Sequence, residues 1–105
     1  MVRVMVFGTF DFIHPGHVFF LKKAKEKGDH LTVVIARDLT VEKLKGGAPF
    51  RREAQRLRDI QNLSCVDKAI LGSNNDKLKA VKDVQPDVIC LGYDQDVYVN
   101  RLLKY

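Results

Sequence analysis

The stretch Val4-Met5-Val6-Phe7-Gly8-Thr9-Phe10-Asp11-Phe12-Ile13-His14-Pro15-Gly16-His17 decides how the rest of the chain is read. An apolar run stops at a glycine, a short loop follows, and the loop closes on Pro15-Gly16 between two histidines. Val18, Leu21 and Ala24 then recur at helical spacing among Lys22, Lys23, Lys25 and Glu26. The pattern predicts a buried strand, a tight turn and a helix whose first turn carries His14 and His17. Pro15 suits the first helical position, where its missing N–H is not needed and its φ is already helical. Backbone N–H groups and the positive end of the helix dipole then face whatever lies over the loop, and a phosphate fits there. Histidines three apart share a helix face, so both imidazoles reach one bound group. Gly16 and Gly8, having no Cβ, let a ligand approach the backbone, and Thr9 adds a hydroxyl and an amide beside Gly8.

Gly8-Thr9-Phe10-Asp11 followed by His14-Pro15-Gly16-His17 resembles the signature of the cytidylyltransferase-like nucleotidyltransferases. A lone H-x-G-H is short enough to recur by chance. Both halves at this spacing, after a predicted strand and before a predicted helix, form a far more specific pattern. The rivals are a surface turn with two solvated histidines and a metal-ligand pair.

The remaining composition is that of an ordinary globular chain. Its 105 residues make one domain, 46% hydrophobic and 30% charged. No apolar run reaches bilayer-spanning length, and Met1-Val2-Arg3 leads into strand-like sequence without a signal-peptide pattern. Cys65 and Cys90 are unclustered, so neither a disulfide framework nor a zinc site is expected, and the cytoplasm is the default compartment. The net charge of +5 is spread over several helices without interleaved aromatics, which argues against a nucleic-acid platform.

Alternation of strands and helices sets the fold class. Val2 to Phe7 reads as a central strand, the helix from Pro15 stops near Gly28, and residues 30–36 form a second strand. Asp38 is a plausible cap for a short helix, and Lys43 to Pro49 reads as a mobile basic loop. From Phe50 a helix is expected to turn Ala54, Leu57 and Ile60 inward and Arg51, Arg52, Arg56 and Arg58 outward. Further strands are expected over 66–71 and 87–91, with a helix marked by Leu78, Val81 and Val84 between them and another from about Asp96. The result is an α/β fold, a doubly wound Rossmann-like parallel sheet with helices on both faces. Ligands bind such sheets beyond the carboxyl ends of the strands, where the winding reverses. The loops after strand one (Gly8 to His17), strand two (Arg37-Asp38) and strand four (Gly92 to Gln95) should meet there.

The resemblance implies an activity: a phosphorylated acceptor attacks the α-phosphate of a nucleoside triphosphate, and pyrophosphate leaves. It implies that His14 and His17 contact the reacting phosphates, helped by Gly8, Thr9, Phe10 and Gly16. Asp11 would fix the loop or lie near a Mg²⁺ ion carried in by the triphosphate. Lys45 is the expected phosphate-seeking lysine, Arg56 a second cation on the nucleotide, and Gly92, Tyr93, Asp94 and Gln95 the readers of the base. Ala36-Arg37-Asp38, Lys43-Leu44-Lys45-Gly46 and Leu91 to Gln95 look most like the archaeal FAD synthetases, implying ATP and FMN as substrates. CTP with glycerol 3-phosphate or another polyol or sugar phosphate is the alternative, and a catalytically idle nucleotide- or flavin-binding module the alternative of another class. Relatives carry a further strand and a Ser/Thr-rich segment that this sequence is expected to lack, and a homodimer without membrane or nucleic-acid partners is implied.

Overall fold

The computed structural model of the protein describes residues 1–73 and 78–91. In chain order the elements are β1 (Arg3–Gly8), α1 (Pro15–Lys25), β2 (His30–Ile35), α2 (Asp38–Lys45), α3 (Glu53–Gln61), β3 (Lys68–Leu71), α4 (Lys79–Val84) and β4 (Val88–Leu91). The four strands are parallel and ordered β3-β2-β1-β4. The chain therefore winds from β1 outward through β2 and β3, then returns to the other side of β1. That reversal puts a topological switch point between β1 and β4, as the alternating pattern predicts.

In register, Val6 stands beside Val33 of β2 and Cys90 of β4, which makes β1 central. Successive side chains of a strand point to opposite faces, and both faces of β1 are covered. Val4 and Val6 pack with Leu21 and Ala24 of α1 and Ile60 of α3. Met5 packs on the other face with Val34 and with Ala80 of α4. Covering of both faces explains why β1 reads as a continuous apolar run rather than an alternating one.

Three aspartates close the amino ends of the strands by one repeated device. Asp29 precedes β2: its amide donates to the Val2 carbonyl at 2.8 Å and its Oδ2 accepts from the Val2 amide at 2.7 Å. Asp87, before β4, does the same with Arg3, both bonds at 2.8 Å. Asp67, before β3, pairs with Leu31 at 3.1 and 2.7 Å and also accepts from the Lys25 ammonium. The Lys25 hydrogen bond, with that of the Leu31 amide, holds the Asp67 carboxyl below the usual carboxylate range. Each aspartate sits just outside its strand because its side chain replaces the next ladder partner. Strands three and four consequently start at Lys68 and Val88, later than the pattern suggests. Gly28 allows the close approach here: a Cβ would stand 2.7 Å from the Val2 carbonyl oxygen.

Two helix assignments differ from expectation. The basic segment from Lys43 begins not as a loop but as the last turn of α2, which runs to Lys45 and stops at Gly46 with φ +76°. Gly46 donates to the Glu42 carbonyl at 2.9 Å, so the first of the two glycines is a left-handed helix stop. Asp38 is the first residue of α2 rather than its cap, the cap position being Arg37. Likewise α3 starts at Glu53, three residues after Phe50, and its phase is rotated: Arg56 and Ile60 are buried while Ala54 is exposed.

Candidate active site at the carboxyl end of the sheet

The loop from Gly8 to His14 leaves the end of β1 and enters α1 through the two histidines. His14 caps α1, its Nδ1 accepting from the Gly16 amide at 3.1 Å, and His17 Nδ1 accepts in return from the His14 amide at 3.3 Å. An Nδ1 that accepts carries no proton, so the neutral form of each imidazole holds its proton on Nε2 as a donor. The rings stack with centroids 3.8 Å apart, and Phe10 meets His17 in a T-shaped contact with centroids 5.5 Å apart. Two imidazoles thus share one spot, as their spacing predicts.

The backbone amides of the first turn do something other than expected. Gly16 N–H goes to His14 Nδ1, and the His17 and Val18 amides both go to the His14 carbonyl, at 2.9 and 3.2 Å. Pro15 has no N–H to offer. The described structure therefore presents imidazoles rather than open amides, because the histidines themselves satisfy the helix start.

Gly8 is also needed for a different reason. A Cβ there would lie 2.4 Å from the Phe10 ring, so the missing side chain makes room for Phe10 and not for a ligand. Phe10 is 6% exposed and has φ +53°, a left-handed conformation costly for a residue with a Cβ. Its buried ring holds the loop in that turn.

Arg56 ties the loop to the rest of the site. Expected outward, it is instead 0% exposed. Its Nε donates to the Arg51 carbonyl at 2.9 Å, one terminal nitrogen to the Thr9 carbonyl at 2.9 Å, and the other to Asp38 Oδ1 at 2.8 Å. A guanidinium presents rigidly spaced donors, and here they join three separate segments. Arg56 thus meets Thr9 through the backbone and fastens the motif loop to α2 and to the segment before α3. Burial pushes the Asp38 carboxyl up. Hydrogen bonds from Arg56 and the Glu53 backbone, with the charges of Arg56 and Arg52, outweigh this and hold it below its ordinary value.

Three further residues complete the network. Arg37 donates to the Gly72 carbonyl at 2.8 Å and to Glu53 Oε2 at 2.9 Å, while Glu53 Oε1 accepts from the Asp38 amide at 2.9 Å. Glu53 escapes a sequence reading, although an acid in the first turn of a helix is the available signal. Asp11 accepts from the Phe50 amide at 2.8 Å and from the Arg51 amide at 2.7 Å. Its two oxygens thereby join the motif loop to the segment before α3. Among the described residues no group of three or more His, Cys, Asp or Glu is placed to hold a metal ion. Lys45 is the last residue of α2. Gly92, Tyr93, Asp94 and Gln95 lie outside the described residues, as does the helix expected from Asp96.

Residues 5–104 match the family model described as cytidylyltransferase-like. The chain is 54% identical over 95 residues to a FAD synthase of Aciduliprofundum boonei, covering 90% of this chain and 63% of that protein. It is 50% identical to a FAD synthase of Thermoplasma acidophilum, covering 90% of this chain and 66% of that one. It thus spans just under two thirds of the length of these curated relatives. Among solved structures, the lipopolysaccharide core biosynthesis protein of Thermoplasma volcanium superposes with a TM-score of 0.86 at 45% identity. That match covers 97% of this chain and 88% of the other.

Proposed function

The chain belongs to the cytidylyltransferase-like family, and from that premise we propose that it transfers adenylate from ATP to FMN, giving FAD and pyrophosphate. The observation that carries the reading is the stacked His14–His17 pair, with each Nδ1 held by a backbone amide. The FAD synthase names of similar chains support the choice of substrates.

An oxygen of the FMN phosphate attacks the α-phosphorus as the bond to the pyrophosphate oxygen breaks. The acceptor phosphate is already ionised at neutral pH, so no strong general base is needed. The site has to align the two phosphates and stabilise the charge that collects on the transferring group and on the departing pyrophosphate. His14 and His17 supply Nε2–H donors for that charge. Arg56 and Asp11 hold the loop that carries them, and Lys45 adds a positive charge from the end of α2. Mg²⁺ would come with the nucleotide, its charge offsetting that of the phosphates. Gly92 to Gln95 read the base in this proposal, and the protein acts as a homodimer. No helix among the described residues is long and apolar enough to cross a membrane.

Pyrophosphate release, measured with ATP and with CTP against FMN and glycerol 3-phosphate, tests the reading. Release with ATP and FMN is expected. Release only with CTP and glycerol 3-phosphate would transfer the reading to a cytidylyltransferase, and nucleotide binding without release from any pair would leave a binding module.

A further inference from the structure

Phe50 is 86% exposed and Phe12 is 55% exposed, yet the two rings lie together, with centroids 5.5 Å apart and planes 43° apart. Single exposed apolar residues are ordinary, but these rings are paired and their backbones are anchored. Asp11, next to Phe12, accepts the amides of Phe50 and Arg51, and the Arg51 carbonyl accepts from buried Arg56. The Arg51 guanidinium stands 5.7 Å from the Phe12 ring centre, and its side chain is 41% exposed despite an ion pair with Asp59 at 3.6 Å. A fixed pair of phenyl faces bordered by a cation is therefore held open to solvent two positions before His14.

Resting on the FMN reading above, we propose that Phe12, Phe50 and Arg51 seat the acceptor, the phenyl faces receiving the flavin ring and the guanidinium its negative charge. Topology assigns the seat to the acceptor rather than to the nucleotide. A nucleotide in the switch-point crevice lies over β1 and β4. Phe50 belongs to the connection between α2 and α3, reached from β2 on the opposite side of β1. The platform thus lies across the motif loop from the crevice, leaving it to the second substrate. A planar, electron-poor tricycle gains from stacking on aromatic faces, and phosphate anions complement arginine.

The test is a fluorescence titration of the protein with FMN, in wild type, Phe50→Ala, Phe12→Ala and Phe50→Tyr, with ATP affinity, melting temperature and light scattering measured in parallel. Each alanine variant should weaken FMN binding about ten-fold, within the range seen for loss of one base-stacking aromatic. ATP affinity and melting should hold, and Phe50→Tyr should retain FMN affinity. If wild type binds FMN and both alanine variants bind it equally well, the seat is wrong while the FMN reading stands. If wild type binds no FMN, the FMN reading fails and the seat with it. Unchanged FMN affinity with a loss of self-association would make the rings an interface between copies and overturn the proposal.

Discussion

At the amino ends of the strands, Asp29, Asp67 and Asp87 each bond to the strand beside them through both amide and carboxylate. At the carboxyl ends, Asp11 and Asp38 bond instead to α3 and the segment before it: Asp11 accepts from the Phe50 and Arg51 amides, and Asp38 from the Arg56 guanidinium. The same carboxylate chemistry extends the sheet ladder at one end and fastens loops at the other. The first use stabilises the fold wherever a strand begins. The second sets the geometry of the loops that hold phosphates in the proposed reaction, so its loss should be felt in turnover as well as in stability.

The largest effect should come from Arg56→Met, which leaves Asp38 partly buried without its main partner. Breaking a buried charge pair costs on the order of 3–5 kcal/mol, a large share of a small domain's stability. A urea midpoint close to wild type would show that the three bonds of Arg56 do not hold this end together.

A pair of aspartate variants then separates the two ends. Asp11→Ala and Asp67→Ala should each cost about 2 kcal/mol, the scale of a hydrogen bond to a charged acceptor. Turnover per folded molecule should fall only in Asp11→Ala, because Asp67 lies at the opposite end of the sheet. Equal turnover in the two variants would erase the distinction between the ends.

A smaller contrast lies in the tight glycines. A Cβ at Gly28 meets backbone, and one at Gly8 meets the Phe10 ring, so alanine at either site should cost about 1–2 kcal/mol by overpacking. Only Gly8→Ala should also slow turnover, by displacing the ring that packs on His17.

The mildest effect is the response to acid. Asp38 and Asp67 are both held below their ordinary pKa by their partners. Their stabilisation is therefore fully present above the unfolded value of about 3.9 and is lost as pH falls through the folded values. Acid titration of Asp67→Asn should give a shallower loss of stability over that window than wild type; identical slopes would contradict the role given to the Lys25 and Leu31 bonds.

The strand–loop–helix unit was legible because local rules coincide there: an apolar run for a strand covered on both faces, Pro15 at a helix start, histidines at helical spacing. The winding followed from strands alternating with helices. Arg56 was not legible. An arginine among Arg51, Arg52 and Arg58 reads as a solvated face, and only partners distant in sequence, Thr9 and Asp38, reverse that. Ala54, small and indifferent to burial, gave no contrary signal about the phase of α3. Gly46-Gly47 read as a loop because a left-handed helix stop and a flexible link use the same residue. The amides of α1 looked open because a histidine is an uncommon cap, and its ring nitrogen takes the place of the Ser, Thr, Asp or Asn oxygen normally found there. Phe12 and Phe50 became a pair only once Asp11 joined their loops.

In the proposed reaction the His14–His17 pair, set by this network, carries nucleotidyl transfer. Single-turnover formation of FAD from Mg·ATP and FMN, followed by rapid quench in wild type, His14→Ala and His17→Ala, tests it most directly. The assay should run where all three proteins are folded, since each histidine also contributes to the start of α1. Each substitution should slow the step by a factor of a hundred to a thousand, about 3–4 kcal/mol for a lost transition-state donor. FAD formed by both variants at the wild-type rate would remove the imidazoles from the reaction and contradict the account.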